Sequence, residues 1–193
     1  MKRTQLELAL RVASDLARER EFIIIGSQAI LGLMRNPPSA CLKSMELDLY
    51  PKHQFQAVLL INSKMGPRSR FAENSGFFVD CVDPGLATLP DGWIERLVPF
   101  RTKKTGGATG WCLELHDLAL AKLAAGRPKD LRYIRALLRH KLVRPEIIES
   151  RLNDMPTTPA DKQTMRAHLK KLVAPRASKR RRRRKPASRS VRN

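Results

Sequence analysis

Between residues 5 and 18 the apolar side chains Leu6, Ala9, Leu10, Ala13, Leu16 and Ala17 recur at helical spacing, with Arg11, Asp15 and Arg18 on other faces. That spacing predicts an amphipathic helix. Phe22-Ile23-Ile24-Ile25 follows, a β-branched run too short for a helix and suited to a buried strand. It stops at Gly26-Ser27, and a short helix is expected from Gln28 to Met34, ended before Asn36-Pro37-Pro38. Residues 45–50, Met-Glu-Leu-Asp-Leu-Tyr, alternate apolar and acidic at strand period, with Pro51 closing the run. A helix over His53–Ser63, a loop over Lys64–Ser75 and a third strand over Phe77–Val82 come next. Trp93–Arg101 and Thr109–Leu115 read as two strands across a polar loop containing Thr105-Gly106-Gly107. From there the pattern is helical only, with helices expected at 117–125, 129–140, 145–153 and 160–173.

Strands and helices mixed over the first two-thirds, then helices alone, describe an α/β or α+β core followed by a C-terminal helical bundle. The expected organisation is a core over 1–115, a helical region over 116–174 and a disordered basic tail over 175–193. A length of 193 residues and 42% apolar content suit one compact domain and exclude disorder throughout. The strongest apolar runs are four residues long, far from the roughly 20 a membrane span needs, and the N-terminus lacks a secretory h-region. No membrane association is expected. Cys41, Cys81 and Cys112 form an odd set without a Cys-x-x-Cys pair, which points to reduced thiols in the cytoplasm and away from structural zinc.

Charge changes the picture most at one end. Ten of the 38 Lys and Arg and none of the 18 Asp and Glu fall within residues 175–193, so half of the net +20 sits on a tenth of the chain. The run Lys179-Arg180-Arg181-Arg182-Arg183-Arg184-Lys185 can bury nothing and repels itself. Beside a polyanion it would release counterions and give salt-sensitive, sequence-independent affinity. Without interleaved aromatics it offers no stacking on unpaired bases. The tail therefore supports attraction to nucleic acid, with a solubilising segment that has no selected partner as the alternative.

Four constellations could carry chemistry. Gly26-Ser27, between a strand and a helix, allows close backbone approach and an anion site, with Ser27 able to cap the helix. Glu46-x-Asp48 on a strand projects two carboxylates from one face, and hard oxygen ligands at that spacing suit Mg²⁺. Asp80, inside the apolar Phe-Phe-Val-Asp-Cys-Val run, is either at a functional edge or an expensive burial; Asp83 belongs to the turn before Pro84. Lys122, Arg127, Lys129 and Asp130 cluster at a helix–helix corner, where they could clamp phosphates or stand solvated.

These stretches, Ile-Ile-Ile-Gly26-Ser27, Met-Glu46-Leu-Asp48-Leu, Phe-Val-Asp80 and Lys122-Leu-Ala-Ala-Gly126-Arg127-Pro-Lys129-Asp130, together resemble the minimal nucleotidyltransferase superfamily. More closely they resemble bacterial nucleotidyltransferase-like proteins of unknown function related to toxins of abortive-infection toxin–antitoxin pairs, over roughly residues 5–140. The resemblance implies an NTP substrate with Gly26 and Ser27 at the triphosphate and Mg²⁺ on Glu46, Asp48 and Asp80. Asp80 would activate the acceptor hydroxyl, and Lys122, Arg127, Lys129 and Asp130 would lie across the cleft at the nucleotide. RNA, tRNA among its forms, is the expected acceptor, and a cognate antitoxin a further partner. Glu46 stands where the superfamily usually carries Asp. That departure keeps open a second reading, a catalytically inactive relative that binds nucleic acid or a partner protein.

Overall fold

A computed structural model describes residues 1–174. Five strands form one mixed sheet in the order β3-β2-β1-β5-β4, with β1 at Glu21–Ile24, β2 at Glu46–Pro51, β3 at Phe78–Asp80, β4 at Val98–Phe100 and β5 at Thr109–Cys112. β1 runs antiparallel to β2 and parallel to β5, β2 parallel to β3, and β4 antiparallel to β5. The helices are α1 (Arg3–Ala17), α2 (Ile30–Leu33), α3 (Val58–Met65), α4 (Arg70–Ser75), α5 (Leu115–Ala125), α6 (Pro128–Arg139), α7 (Pro145–Leu152) and α8 (Pro159–Val173). Among the described residues no helix is long and apolar enough to cross a membrane.

Strand period two decides which face is buried. Phe22, Ile24, Leu47, Leu49 and Val79 are fully buried, while their neighbours Glu46, Asp48 and Asp80 are only partly so. Ile24 pairs with Leu49 and Leu47 with Val79, so the apolar residues line up across strands. The apolar face of α1 packs against this side. A Cβ at Gly110 of β5 would lie 2.7 Å from Ile24 Cδ1 and 3.1 Å from Leu10 Cδ1, so a glycine there lets helix and sheet close. The core continues through Leu118, Leu123, Ile134 and Leu137 to Leu169 and Leu172.

Several elements differ from the sequence pattern for local reasons. Residues 64–75 are not a loop: α3 extends to Met65, and Ser69 accepts the Ala72 amide to cap α4. The helix expected from His53 starts only at Val58, after a 3₁₀ turn over Phe55–Ala57. Trp93–Arg96 is turn, because the Trp93 and Arg96 amides donate back three residues to the carbonyls of Pro90 and Trp93; only Val98–Phe100 is strand. β5 ends at Cys112, and Glu114 caps α5 by accepting the His116 amide. Pro51 does not close β2 from outside but is its last residue, paired with Phe22. Pro128, Pro145 and Pro159 each open a helix, where a missing N–H costs nothing.

An ion network fixes α5. Asp117, fully buried, accepts Arg96 Nε at 2.7 Å and Arg151 Nη1 at 2.8 Å; the same Arg151 nitrogen donates to Glu114 Oε2 at 2.6 Å. His116 Nδ1 lies 2.6 Å from Glu114 Oε1, and its Nε2 accepts the Arg144 amide. Burial alone would raise the Glu114 carboxyl, but hydrogen bonds from His116 and Arg151 outweigh it and hold it at about 2. A carboxylate held below its ordinary 4.5 stabilises the fold above that pH and ceases to do so as pH falls toward 2. Its contribution is on the order of 3 kcal/mol. Arg151→Met should therefore cost about 3 kcal/mol at pH 7 by leaving Asp117 half-paired. In urea titrations the gap to wild type should narrow between pH 5 and pH 2; a gap independent of pH would show that the network does not hold Glu114.

Candidate active site

The register of β2 against β3 sets Asp48 directly opposite Asp80 and Glu46 opposite Phe78. Glu46 and Asp48 share the strand face turned away from Leu47 and Leu49, and one carboxylate oxygen from each of Glu46, Asp48 and Asp80 lies within 4.8 Å of the others. Among the described residues none of the three makes an ion pair with a basic side chain within 4 Å. Burial, then the charges of Glu46 and Asp80, push Asp48 up to about 6. Glu46 is raised too, first by burial and then by Asp80, with Lys129 and Arg127 opposing. Three clustered, under-neutralised, hard oxygen donors on one sheet edge are the donor set a divalent cation such as Mg²⁺ takes.

Gly26 lies against this cluster. A Cβ there would fall 1.4 Å from Asp48 Oδ2 and 2.3 Å from its carboxyl carbon. Any larger residue must displace the carboxylate, so the glycine is required by a functional group rather than by a turn. Ser27 does not cap the following segment as the sequence suggested. That segment begins as a 3₁₀ turn over Ser27–Ala29 with no side-chain cap, and the Ser27 hydroxyl is instead engaged by Lys122, whose Nζ donates to Oγ at 2.8 Å. With its oxygen accepting from Lys122, the hydroxyl proton is free to point into the cleft.

Lys122, in the last turn of α5, is held from three sides. Besides Ser27 it donates to Asp130 Oδ1 at 3.0 Å, and its ammonium sits 4.6 Å over the Tyr133 ring. Burial lowers its proton affinity while Asp130 and Asp48 resist that effect. Asp130 is only 2% exposed; its second oxygen accepts Arg127 Nε at 2.6 Å. Both carboxylate oxygens are thus engaged by cations, so Asp130 orients Lys122 and Arg127 while itself lining the cleft. Tyr133 completes the frame by donating to the Ser27 carbonyl at 2.7 Å.

These groups line one cleft of about 690 Å³, large enough for a nucleotide-sized ligand. Gly26, Ser27, Glu46 and Asp48 form one wall, Lys122, Arg127 and Lys129 another; Asp80 joins through its contact with the other two carboxylates. The basic run from Lys179 to Lys185 lies outside the described residues. Sequence reasoning missed Tyr133, although it follows Asp130 by three positions on one helix face, a spacing that would have marked it. It also missed Lys43, Ser44 and Arg132 at the cleft wall, which carry no local pattern.

A family model described as "Nucleotidyltransferase of unknown function (DUF6036)" matches residues 4–177. No curated protein and no solved structure matches the chain.

The raised Asp48 carboxyl has a measurable consequence. With an ordinary value of 3.8 and a folded value of about 6, the metal-free protein loses stability as pH rises through this interval and stays at the lower level above it. Asp48→Asn should therefore raise the metal-free Tm at pH 7.5, by on the order of 3 kcal/mol of stability, and should abolish any Mg²⁺-induced increase in Tm. Gly26→Ala should also weaken the Mg²⁺ response, because its Cβ evicts the Asp48 carboxylate. A lower Tm in Asp48→Asn would show that the carboxylates do not strain one another.

Proposed function

The chain belongs to this nucleotidyltransferase family, and on that footing we propose that it transfers a nucleoside monophosphate from an NTP to an acceptor hydroxyl. One observation carries the proposal: three converging carboxylates share a single cleft with a buried lysine, Lys122, that is hydrogen-bonded to Ser27. Glu46, Asp48 and Asp80 would hold Mg²⁺, which supplies charge neutralisation at the triphosphate and the attacking oxygen. Lys122, pre-set by Asp130 and Tyr133, places its charge beside Ser27, and the two present donors to phosphate oxygens. Arg127 and Lys129 add positive charge on the opposite wall. Asp80 accepts the proton of the acceptor hydroxyl as its oxygen bonds to the α-phosphorus; the bond to the β-phosphate bridging oxygen breaks and pyrophosphate leaves. Fixed charges in a partly closed cleft supply the rate enhancement by positioning and electrostatics.

The proposed acceptor is RNA, tRNA among its forms, in the cytoplasm. The support is the net charge of +20 and a cleft lined by Lys43, Lys122, Arg127, Lys129 and Arg132. Modification of tRNA would make the protein toxin-like, with a cognate antitoxin as its counterpart. The competing reading, an inactive binding protein, rested on Glu46 replacing Asp. The longer side chain nevertheless brings its carboxylate into the same cluster as Asp48 and Asp80, which favours the enzyme.

Incubation with each of four α-³²P-labelled NTPs, Mg²⁺ and total tRNA tests this reading. Label should move onto RNA with one preferred nucleotide, and Asp48→Ala should abolish transfer, a loss of at least about 10³-fold, without lowering Tm. Transfer retained in Asp48→Ala, or no transfer by wild type alongside intact tRNA binding, would sink the assignment.

A further inference from the structure

Helix α6 carries an array that the cleft chemistry does not exhaust. Lys129, Arg132, Arg135 and Arg139 are all exposed, and at 3.6 residues per turn they fall within about a third of the helix circumference. Arg132 lines the active-site cleft. Arg135 and Arg139 line a second groove of about 830 Å³, completed by Lys141, Arg144 and Lys171. Every charged residue lining that groove is basic, and among the described residues none of these five side chains makes an ion pair. One helix thus joins two concave sites by a continuous row of unpaired guanidinium groups.

The occupant must be anionic. Residues 175–193 are excluded, since they hold ten basic residues and no acidic one and would be repelled. The apolar lining of the groove includes Leu138, Val143 and Leu172, all aliphatic, and among the described residues no aromatic side chain lines it. It therefore offers neither the stacking that reads unpaired bases nor the aromatic anchor usual in a protein–protein hot spot. Arginines spaced along a straight element suit a repeating phosphate. Arg132 to Arg139 spans about 10 Å of helix, the rise of roughly three stacked nucleotides at 3.4 Å each. An acceptor hydroxyl also has to reach the cleft from some direction, and the row ends there.

We infer that this groove and the α6 arginine row form a track that binds the phosphodiester backbone of the acceptor nucleic acid and leads its reactive end to the cleft. Binding along it is sequence-independent. The direction of travel rests on the nucleotidyl-transfer reading, whereas the binding surface itself does not.

The test uses the full-length protein, with tRNA binding followed by fluorescence anisotropy over a range of salt concentrations and no NTP present. Arg135→Glu with Arg139→Glu should weaken binding about tenfold or more and reduce the slope of log Kd against log salt by about 2. Arg135→Lys with Arg139→Lys should keep that slope, and neither pair should change Mg²⁺-dependent NTP binding. Unchanged tRNA affinity and slope in the Glu pair would overturn the proposal. So would unchanged tRNA binding combined with lost binding of poly-glutamate, which would give the groove to an acidic protein partner. An enzyme that transfers no nucleotide yet loses tRNA affinity in the Glu pair would leave the track standing and remove only the transfer reading.

Discussion

Three carboxylates held within 4.8 Å of one another, with no basic side chain among the described residues paired to any of them, set the terms for the rest of the molecule. Burial of the carboxylate, and after it the like charges of Glu46 and Asp80, oppose folding, as the rise of Asp48 to about 6 records. The cluster persists because the backbone over-determines it. Asp48 and Asp80 are fixed by strand register, and the alternate residues Leu47, Leu49 and Val79 are fully buried on the other face. A one-residue slip of β2 would rescue the carboxylates from one another only by exposing those side chains to water. Hydrophobic burial on one side of the sheet thus holds electrostatic strain on the other.

Positive charge is allotted with the same economy. Lys122 is almost fully buried, which lowers its proton affinity; Asp130 opposes this and aims it at Ser27. Asp130 can do so because Arg127 occupies its other oxygen, leaving a net positive trio facing the acidic cluster across the cleft. α5 has to be fixed along its length for that aim to matter. The Asp117–Arg151–Glu114 network anchors its first turn, so the two ends of one helix of 11 residues carry separate tasks, anchorage and ligand approach.

The parts of this site legible in the sequence are those written in local periodicity. Glu46-x-Asp48 showed its shared face because strand period is two, and Lys122 to Asp130 showed a corner because glycine and proline punctuate it. What the sequence could not disclose depends on contacts between distant segments. The Tyr133 hydroxyl meets the Ser27 carbonyl across 106 positions and Arg151 meets Asp117 across 34; neither pair leaves a trace in spacing. The position of Asp130 at a helix start was visible in the sequence, while the geometry of its two cationic partners was not. Turns that mimic strands, as between Trp93 and Leu97, escaped for the same reason: Arg96 is drawn to Asp117, 21 residues onward.

The exposed arginines follow from the opposite logic to Lys122. A buried cation needs a carboxylate, and the fold spends Asp117, Glu114 and Asp130 on Arg96, Arg151, Lys122 and Arg127. With 18 acidic residues against 38 basic ones, most cations have no internal partner available, and water must solvate them. Solvation alone does not require them to be collected along one helix face between two grooves. Concentrating like charges there raises the repulsion that the folded state carries at low salt, a cost that dispersal over the surface would lower. On the proposed reading, the same clustering that opposes stability would sharpen the potential felt by a polyanion and direct it toward the cleft, so the α6 row would trade stability for attraction, as the carboxylate cluster would for a cation.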